Sequence, residues 1–158
     1  MSVGFRLATA ADASQIAEQR RAFFLEQIGN VGTLELDFVL QFARFVEDEL
    51  RSERSVIWLA EEDRQLMAIA WVKIMSKVPW PGEWHARWAY VTNVYTVPER
   101  RGAGVGRELM DRVKVWAVDQ HLEFLLLWPS DASVEWYHRL GFVDASEALI
   151  WHTPAGVS

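Results

Sequence analysis

Apolar positions recur along the chain with two different periods, and the switches between them divide it into elements. Phe5-Arg-Leu-Ala opens as a short strand. Asp12 is placed to cap a helix on which Ile16, Phe23, Phe24 and Ile28 recur at helical spacing, and Gly29 and Gly32 break it. A second amphipathic helix carries Leu36, Val39, Leu40, Ala43, Phe45, Val46 and Leu50. Ser55-Val-Ile-Trp-Leu-Ala then reads as a buried strand, Glu61-Glu-Asp-Arg as a polar turn, and Leu66 to Val78 as the return strand of an antiparallel hairpin. Pro79-Trp-Pro-Gly-Glu-Trp-His is a loop, because its two prolines lack donors and fix the backbone. Arg87 to Val97 is a long strand rich in aromatic and β-branched residues.

The second half is patterned differently. Pro98-Glu-Arg-Arg-Gly-Ala-Gly-Val-Gly is a turn, and Arg107 to Gln120 a helix with Leu109, Met110, Val113, Trp116 and Ala117 on one face. Leu122 to Trp128 is an almost wholly apolar run, as expected of a strand covered on both faces. Ser130 to Leu140 is a short helix ended by Gly141, and Phe142 to Trp151 reads as a final strand. The order β-α-α-β-β-β-α-β-α-β predicts an α/β fold with a mixed central sheet, antiparallel in its N-terminal half and closed by a β-α-β crossover. No repeat, low-complexity tract or linker interrupts it, so residues 1–158 are expected to form a single domain.

Composition narrows the chemistry. The chain has no cysteine, which removes disulfides, thiolate metal sites and a cysteine nucleophile. A formal net charge of -6 argues against nucleic acid, whose phosphates need a basic surface. It is compatible with a cationic small substrate, and equally with solubility alone. No apolar run approaches the roughly 18 residues that span a bilayer, and Met1-Ser-Val-Gly-Phe-Arg-Leu lacks a secretory pattern, so the expectation is no membrane association and a cytoplasmic location. Nine tryptophans are many for 158 residues; some must fill the core and others line a pocket or interface.

The glycine turn between the long strand and the following helix is the strongest chemical signal. Glycine lets backbone approach a ligand, and the first N–H groups of a helix have no partner within it. With the helix dipole they form a site for a phosphate or pyrophosphate, to which Arg101 and Arg107 add charge. The plain alternative is a turn that uses glycine for geometry only. A phosphate loop ending Gly-Lys-Ser/Thr does not fit, since Gly106 precedes Arg107-Glu108. A dinucleotide-binding turn does not fit either: the motif comes late in the chain, and Leu109 replaces its last glycine.

Val97-Pro98-Glu99-Arg100-Arg101-Gly102-Ala103-Gly104-Val105-Gly106 resembles motif A of the GNAT superfamily of acetyl-CoA-dependent N-acetyltransferases, with Arg101, Gly104 and Gly106 matching its Gln/Arg-x-x-Gly-x-Gly/Ala core. Trp136-Tyr137-His138-Arg139-Leu140-Gly141-Phe142 is similar to the end of motif B, aromatic-Tyr-x-x-Leu-Gly-Phe, and Phe5-Arg-Leu-Ala-Thr-Ala-Ala-Asp resembles the family's opening. The resemblance implies that acetyl-CoA lays its pyrophosphate on the N–H groups of Arg101, Gly102, Ala103, Gly104, Val105, Gly106 and Arg107. It also implies that pantetheine pairs with Tyr95, Thr96 and Val97. The implied reaction is direct attack of an amine, small or a peptide N-terminus, on the thioester, with Tyr137 as general acid. Motif B often has an asparagine near its helix start; Ser130-Asp131 stands there, and Ser130 is the residue expected to cap the helix and reach the cofactor.

The general base stays open among Glu26, Glu83, His85, Asn93 and Tyr95, with Asn93, Tyr95 and Val97 on one face if the strand is regular. His138 should point away from Tyr137 and is read as structural. The acceptor pocket is expected to use Glu26, Asn93 and the loop residues Trp80, Glu83 and Trp84; no metal site is expected. A non-catalytic acyl-CoA sensor on the same fold is the alternative function, and a homodimer is compatible with the pattern.

Overall fold

The computed structural model describes residues 3–29 and 36–152, so the expected helix break at Gly32 lies outside the described residues. The elements are β1 (Gly4–Leu7), α1 (Ala13–Ile28), α2 (Leu36–Arg51), β2 (Ser55–Glu62), β3 (Gln65–Ser76), β4 (Arg87–Thr96), α3 (Val105–Asp119), β5 (Leu125–Leu126) and α4 (Val134–Arg139). Residues up to Trp128 form one compact unit and those from Pro129 a second.

In the first unit the five strands stand in the order β1-β2-β3-β4-β5. The first four pair antiparallel, and β5 joins β4 in parallel after the α3 crossover. This is the mixed α/β sheet that the order of elements predicts. Pleating sends alternate residues of β3 to opposite faces. Ile69 and Trp71 join Ile57, Leu59 and Tyr95 in a core with Ala13 and Ile16 of α1 and Val46 of α2. The alternate positions Ala68, Ala70 and Val72 are buried on the face where α3 brings Leu109, Met110 and Val113, and the two alanines let that helix approach closely. β2 and β3 turn through Asp63 and Arg64, both at positive φ (50° and 64°).

Three expectations need correction. Asp12 makes no capping bond to α1. Its carboxylate instead accepts from the Thr9 N–H (2.7 Å) and from both terminal nitrogens of Arg6 (2.8 Å each), tying β1 to the helix entry. The Leu122–Trp128 run is not a strand covered on both faces. Only Leu125 and Leu126 pair, with Ala89 and Tyr90, while Phe124 and Trp128 stay exposed beside Trp88 and Tyr90. Phe142–Trp151 forms no strand among the described residues, and Val143, Leu149 and Trp151 are exposed.

Candidate functional site: the glycine turn and the open edge of β4

β4 ends in a single 3-10 turn at Pro98–Arg100, where proline's fixed φ starts the turn at no cost in donors. Gly102 (φ 75°) and Gly104 (φ 83°) then adopt left-handed backbone, and Gly104 caps α3. A side chain at either would be strained by φ rather than crowded, since an added Cβ meets nothing within 4 Å. The turn is therefore open. The first bond of the α3 ladder is the Glu108 N–H to Gly104 carbonyl, 3.0 Å, so the N–H groups of Val105, Gly106 and Arg107 precede the ladder. This cradle fits the pyrophosphate of acetyl-CoA: exposed backbone, unpaired donors at a helix N-terminus, and the exposed side chain of Arg107.

Beside it runs an unpaired strand edge. β5 reaches β4 only at Ala89 and Tyr90, so from Val91 to Thr96 β4 is paired on the β3 side alone. The strand is also not regular. Its register with β3 shifts between Trp71↔Thr92 and Ile69↔Tyr95, leaving one extra β4 residue, and Asn93 takes a left-handed φ of 49° there. The alternation expected of Asn93, Tyr95 and Val97 is thus broken at Asn93. Asparagine is among the few residues that tolerate this conformation.

Arg101 does not extend freely. Its Nε donates to the Thr96 carbonyl (3.0 Å), its terminal nitrogens grip the Glu26 carboxylate (2.6 and 2.8 Å), and its guanidinium lies 5.5 Å from the centre of the Tyr95 ring. The Tyr95 hydroxyl donates to the same carboxylate at 3.0 Å. Arg101, then Tyr95, hold the Glu26 carboxyl below its ordinary range, against a smaller opposing effect of burial. Burial and the Glu26 contact push the Tyr95 phenol up. Glu26 is therefore a weak base in this arrangement and serves to fasten α1 to the glycine turn.

Sequence reasoning passed over Arg20. It is half-buried on α1, donates from Nη1 to Asn93 Oδ1 at 2.7 Å, and lies 5.3 Å from the Phe23 ring centre. The available signal was its place four residues after Ile16 and three before Phe23, in line with the buried stripe. The structure thus brings Arg20, Glu26, Asn93, Tyr95, Thr96 and Arg101 together. Trp80, Glu83, Trp84 and His85 sit instead in the exposed loop before β4. The six steps along β4 from Arg87 to Asn93 put that loop roughly 20 Å along the strand.

In the second unit Tyr137 is 9% exposed, edge-on to Trp136 (4.8 Å) and Phe142 (5.6 Å). Burial pushes its phenol up to about 12, so it stays protonated at neutral pH. Ser130 is exposed, its hydroxyl 3.0 Å from that of Ser133, and the His138 ring contacts Asp144. Among the described residues no cluster of three or more His, Asp or Glu is placed to hold a metal, and no helix is long and apolar enough to cross a membrane.

The chain is similar to known proteins in sequence and fold. The chain is 32% identical over 72 residues to the thialysine N-epsilon-acetyltransferase of Bos taurus, a stretch covering 44% of this chain and 42% of that one. The match thus spans less than half of the curated relative. A predicted acetyltransferase from Clostridium acetobutylicum, solved with acetyl-CoA, superposes with a TM-score of 0.76 at 25% identity, over 96% of each chain. A GCN5-related N-acetyltransferase from Ralstonia eutropha JMP134 shares the fold, with a TM-score of 0.72 at 21% identity over 96% of this chain and 99% of that one. The model of the acetyltransferase (GNAT) family matches residues 15–142, a span that takes in both the glycine turn and the Tyr137 segment, and the chain belongs to that family.

Proposed function

We propose that the chain transfers the acetyl group of acetyl-CoA to the nitrogen of a small primary amine, with residues 1–158 acting as one N-acetyltransferase domain. The observation that carries this reading is the glycine turn opening onto α3 beside the unpaired edge of β4. Acetyl-CoA supplies the thioester. Of the donors expected from Arg101 to Arg107, the N–H groups of Arg101 and Ala103 are spent on the Pro98 and Arg100 carbonyls. Those of Val105, Gly106 and Arg107 with the glycine backbone hold the pyrophosphate, and the edge at Tyr95, Thr96 and Val97 receives the amide-bearing arm as an added strand. Ser130, expected to cap the motif B helix, instead precedes the 3-10 turn Asp131–Ser133, and Ser133 stands at the start of α4.

The nitrogen lone pair forms the new C–N bond as the C–S bond breaks; nitrogen loses one proton and sulfur gains one. An N–H near the thioester carbonyl favours the charge that builds on its oxygen. Tyr137 matches the family's tyrosine acid and carries a phenolic proton at neutral pH; burial raises the phenol to about 12, which makes it a weaker acid, so the proton moves only as charge builds on sulfur. Because Arg101 and Tyr95 occupy the Glu26 carboxylate, we assign the base to a water held near Asn93 rather than to Glu26. The name of the curated relatives, thialysine N-epsilon-acetyltransferase, supports an amine acceptor. We extend the reading to a cytoplasmic enzyme.

Thermal shift with acetyl-CoA and thiol release over an amine panel test this. Acetyl-CoA should raise the melting temperature, and absence of a shift removes the cofactor assignment. Thiol release should appear with at least one amine and fall about 100-fold in kcat for Tyr137→Phe. Stabilisation without release from any amine would leave a binding protein.

A further inference from the structure

α1 turns two polar residues toward its buried side. Ile16 and Phe23 pack in the core, and the positions between them that share their side are Gln19 and Arg20. Polar groups in such a stripe need partners, because burying them unpaired is costly. Gln19 is 8% exposed, and neither its Oε1 nor its Nε2 has a hydrogen-bond partner. Trp71, 3% exposed and in the same core cluster as Ile16 and Tyr95, has an Nε1–H equally without one. Arg20 spends one nitrogen on the Asn93 amide oxygen and pairs with no carboxylate among the described residues. Its burial disfavours the charged form, so the guanidinium is poorly solvated as well as unpaired.

These unmet groups are mostly donors: a guanidinium, a carboxamide NH2 and an indole N–H, against a single amide oxygen. Their chemical complement is a negatively charged group made of acceptor oxygens. The Asn93 bulge that anchors Arg20 lies two residues from Tyr95, on the open edge assigned above to the acyl donor. We infer that the acceptor amine carries an oxyanion, a carboxylate or a phosphate, which Arg20 receives while Asn93 fixes the guanidinium. This rests on the acetyl transfer proposed above and names the class of its acceptor. It also places a cation where an acidic chain with a net charge of -6 would otherwise repel an anionic substrate.

The test pairs acceptors that share an amine and chain length and end in a carboxylate, a phosphate or a neutral amide. Thiol release is followed in the wild type, Arg20→Gln and Arg20→Lys. An oxyanion acceptor should exceed its amide by about tenfold in kcat/KM, through KM, and the arm that does so identifies the oxyanion. In Arg20→Gln that preference should collapse to within about twofold, with partial recovery in Arg20→Lys, whose ammonium keeps charge without the planar fork. Equal use of oxyanion and amide by the wild type, or a preference untouched in Arg20→Gln, overturns the inference.

Calorimetric binding of the same compounds to the protein with CoA separates this from the catalytic reading. Oxyanion binding that Arg20→Gln abolishes, without thiol release, leaves the oxyanion site standing and removes the transfer. Thiol release without oxyanion preference does the reverse, and absence of both removes both. Where Arg20→Gln fails to fold, Asn93→Ala, which frees the guanidinium from its anchor, should lower the same preference; a preference it leaves unchanged counts against the site.

Discussion

Asp12 shows how one carboxylate can carry more of the fold than its position in the sequence implies. It is 8% exposed, it receives both terminal nitrogens of Arg6, and Arg6 also reaches Glu61 on β2. The Arg6 contact, helped by the Thr9 N–H and hydroxyl and opposed by burial, lowers the Asp12 carboxyl from 3.8 to about 2. A carboxyl depressed on folding contributes stability that is complete above its unfolded value and is lost as pH falls through the folded one. The shift corresponds to about 2 kcal/mol. Asp12→Asn should therefore be less stable to urea by about that amount at neutral pH, with the gap narrowing between about pH 4 and pH 2. A gap that is constant over this range would mean that packing, not charge, is what the substitution removes. The short acidic residue before a helical stripe was legible as a helix-entry feature; its partner was not, because Arg6 and Glu61 lie in different strands. Gln19 and Arg20 were obscured for a related reason. A polar pair within an apolar stripe is visible in the sequence, but only the Asn93 contact gives it a place.

Among the elements, the β2–β3 hairpin holds strain that the sequence does not relieve. Its two-residue turn needs positive φ at both positions, where asparagine followed by glycine is favoured, yet Asp63 and Arg64 occupy them. Replacing the pair by Asn-Gly should stabilise the chain by about 1 kcal/mol and raise the melting temperature by about 3 °C. The backbone bond from the Gln15 side chain to the Arg64 carbonyl survives the change. A melting temperature that stays put would show the turn to be relaxed as it is. Long periodic elements were readable: α1, α2, β2, β3, β4 and α3 lie within a few residues of where periodicity puts them. The bulge at Asn93 was not, because an alternating strand with one extra residue looks regular until its partner's register is known. The apolar content of Leu122–Trp128 was misleading for a physical reason. Phe124 and Trp128 meet Trp88 and Tyr90 ring to ring on an exposed surface, so apolar character there reflects aromatic pairing rather than burial.

At the scale of the molecule, the feature with the widest consequence is the edge that β5 leaves open. Stability is not uniform across a fold, and backbone groups without a strand partner exchange most readily. The Ala89 N–H points to the β5 side, where it meets the Phe124 carbonyl, so strand alternation turns the Val91 N–H the same way, beyond the end of β5. Past the bulge the Val97 N–H faces β3, bonding the Met67 carbonyl, while the Thr96 carbonyl faces outward to Arg101. The amides of Val91 and Thr96 therefore lie on the open side. In hydrogen exchange by NMR they should exchange faster than those of Leu59, Ile69 and Val72, which lie in strands paired on both sides. Acetyl-CoA should slow Thr96 together with Val105, Gly106 and Arg107, because one ligand laid along the strand and across the helix terminus covers both sets of donors. Protection confined to the α3 terminus would place the pyrophosphate correctly and remove strand addition. Protection of β4 alone would remove the glycine cradle. Slowing of both together is the expected result, since β4 delivers its last open residue directly into the turn proposed to hold the phosphates.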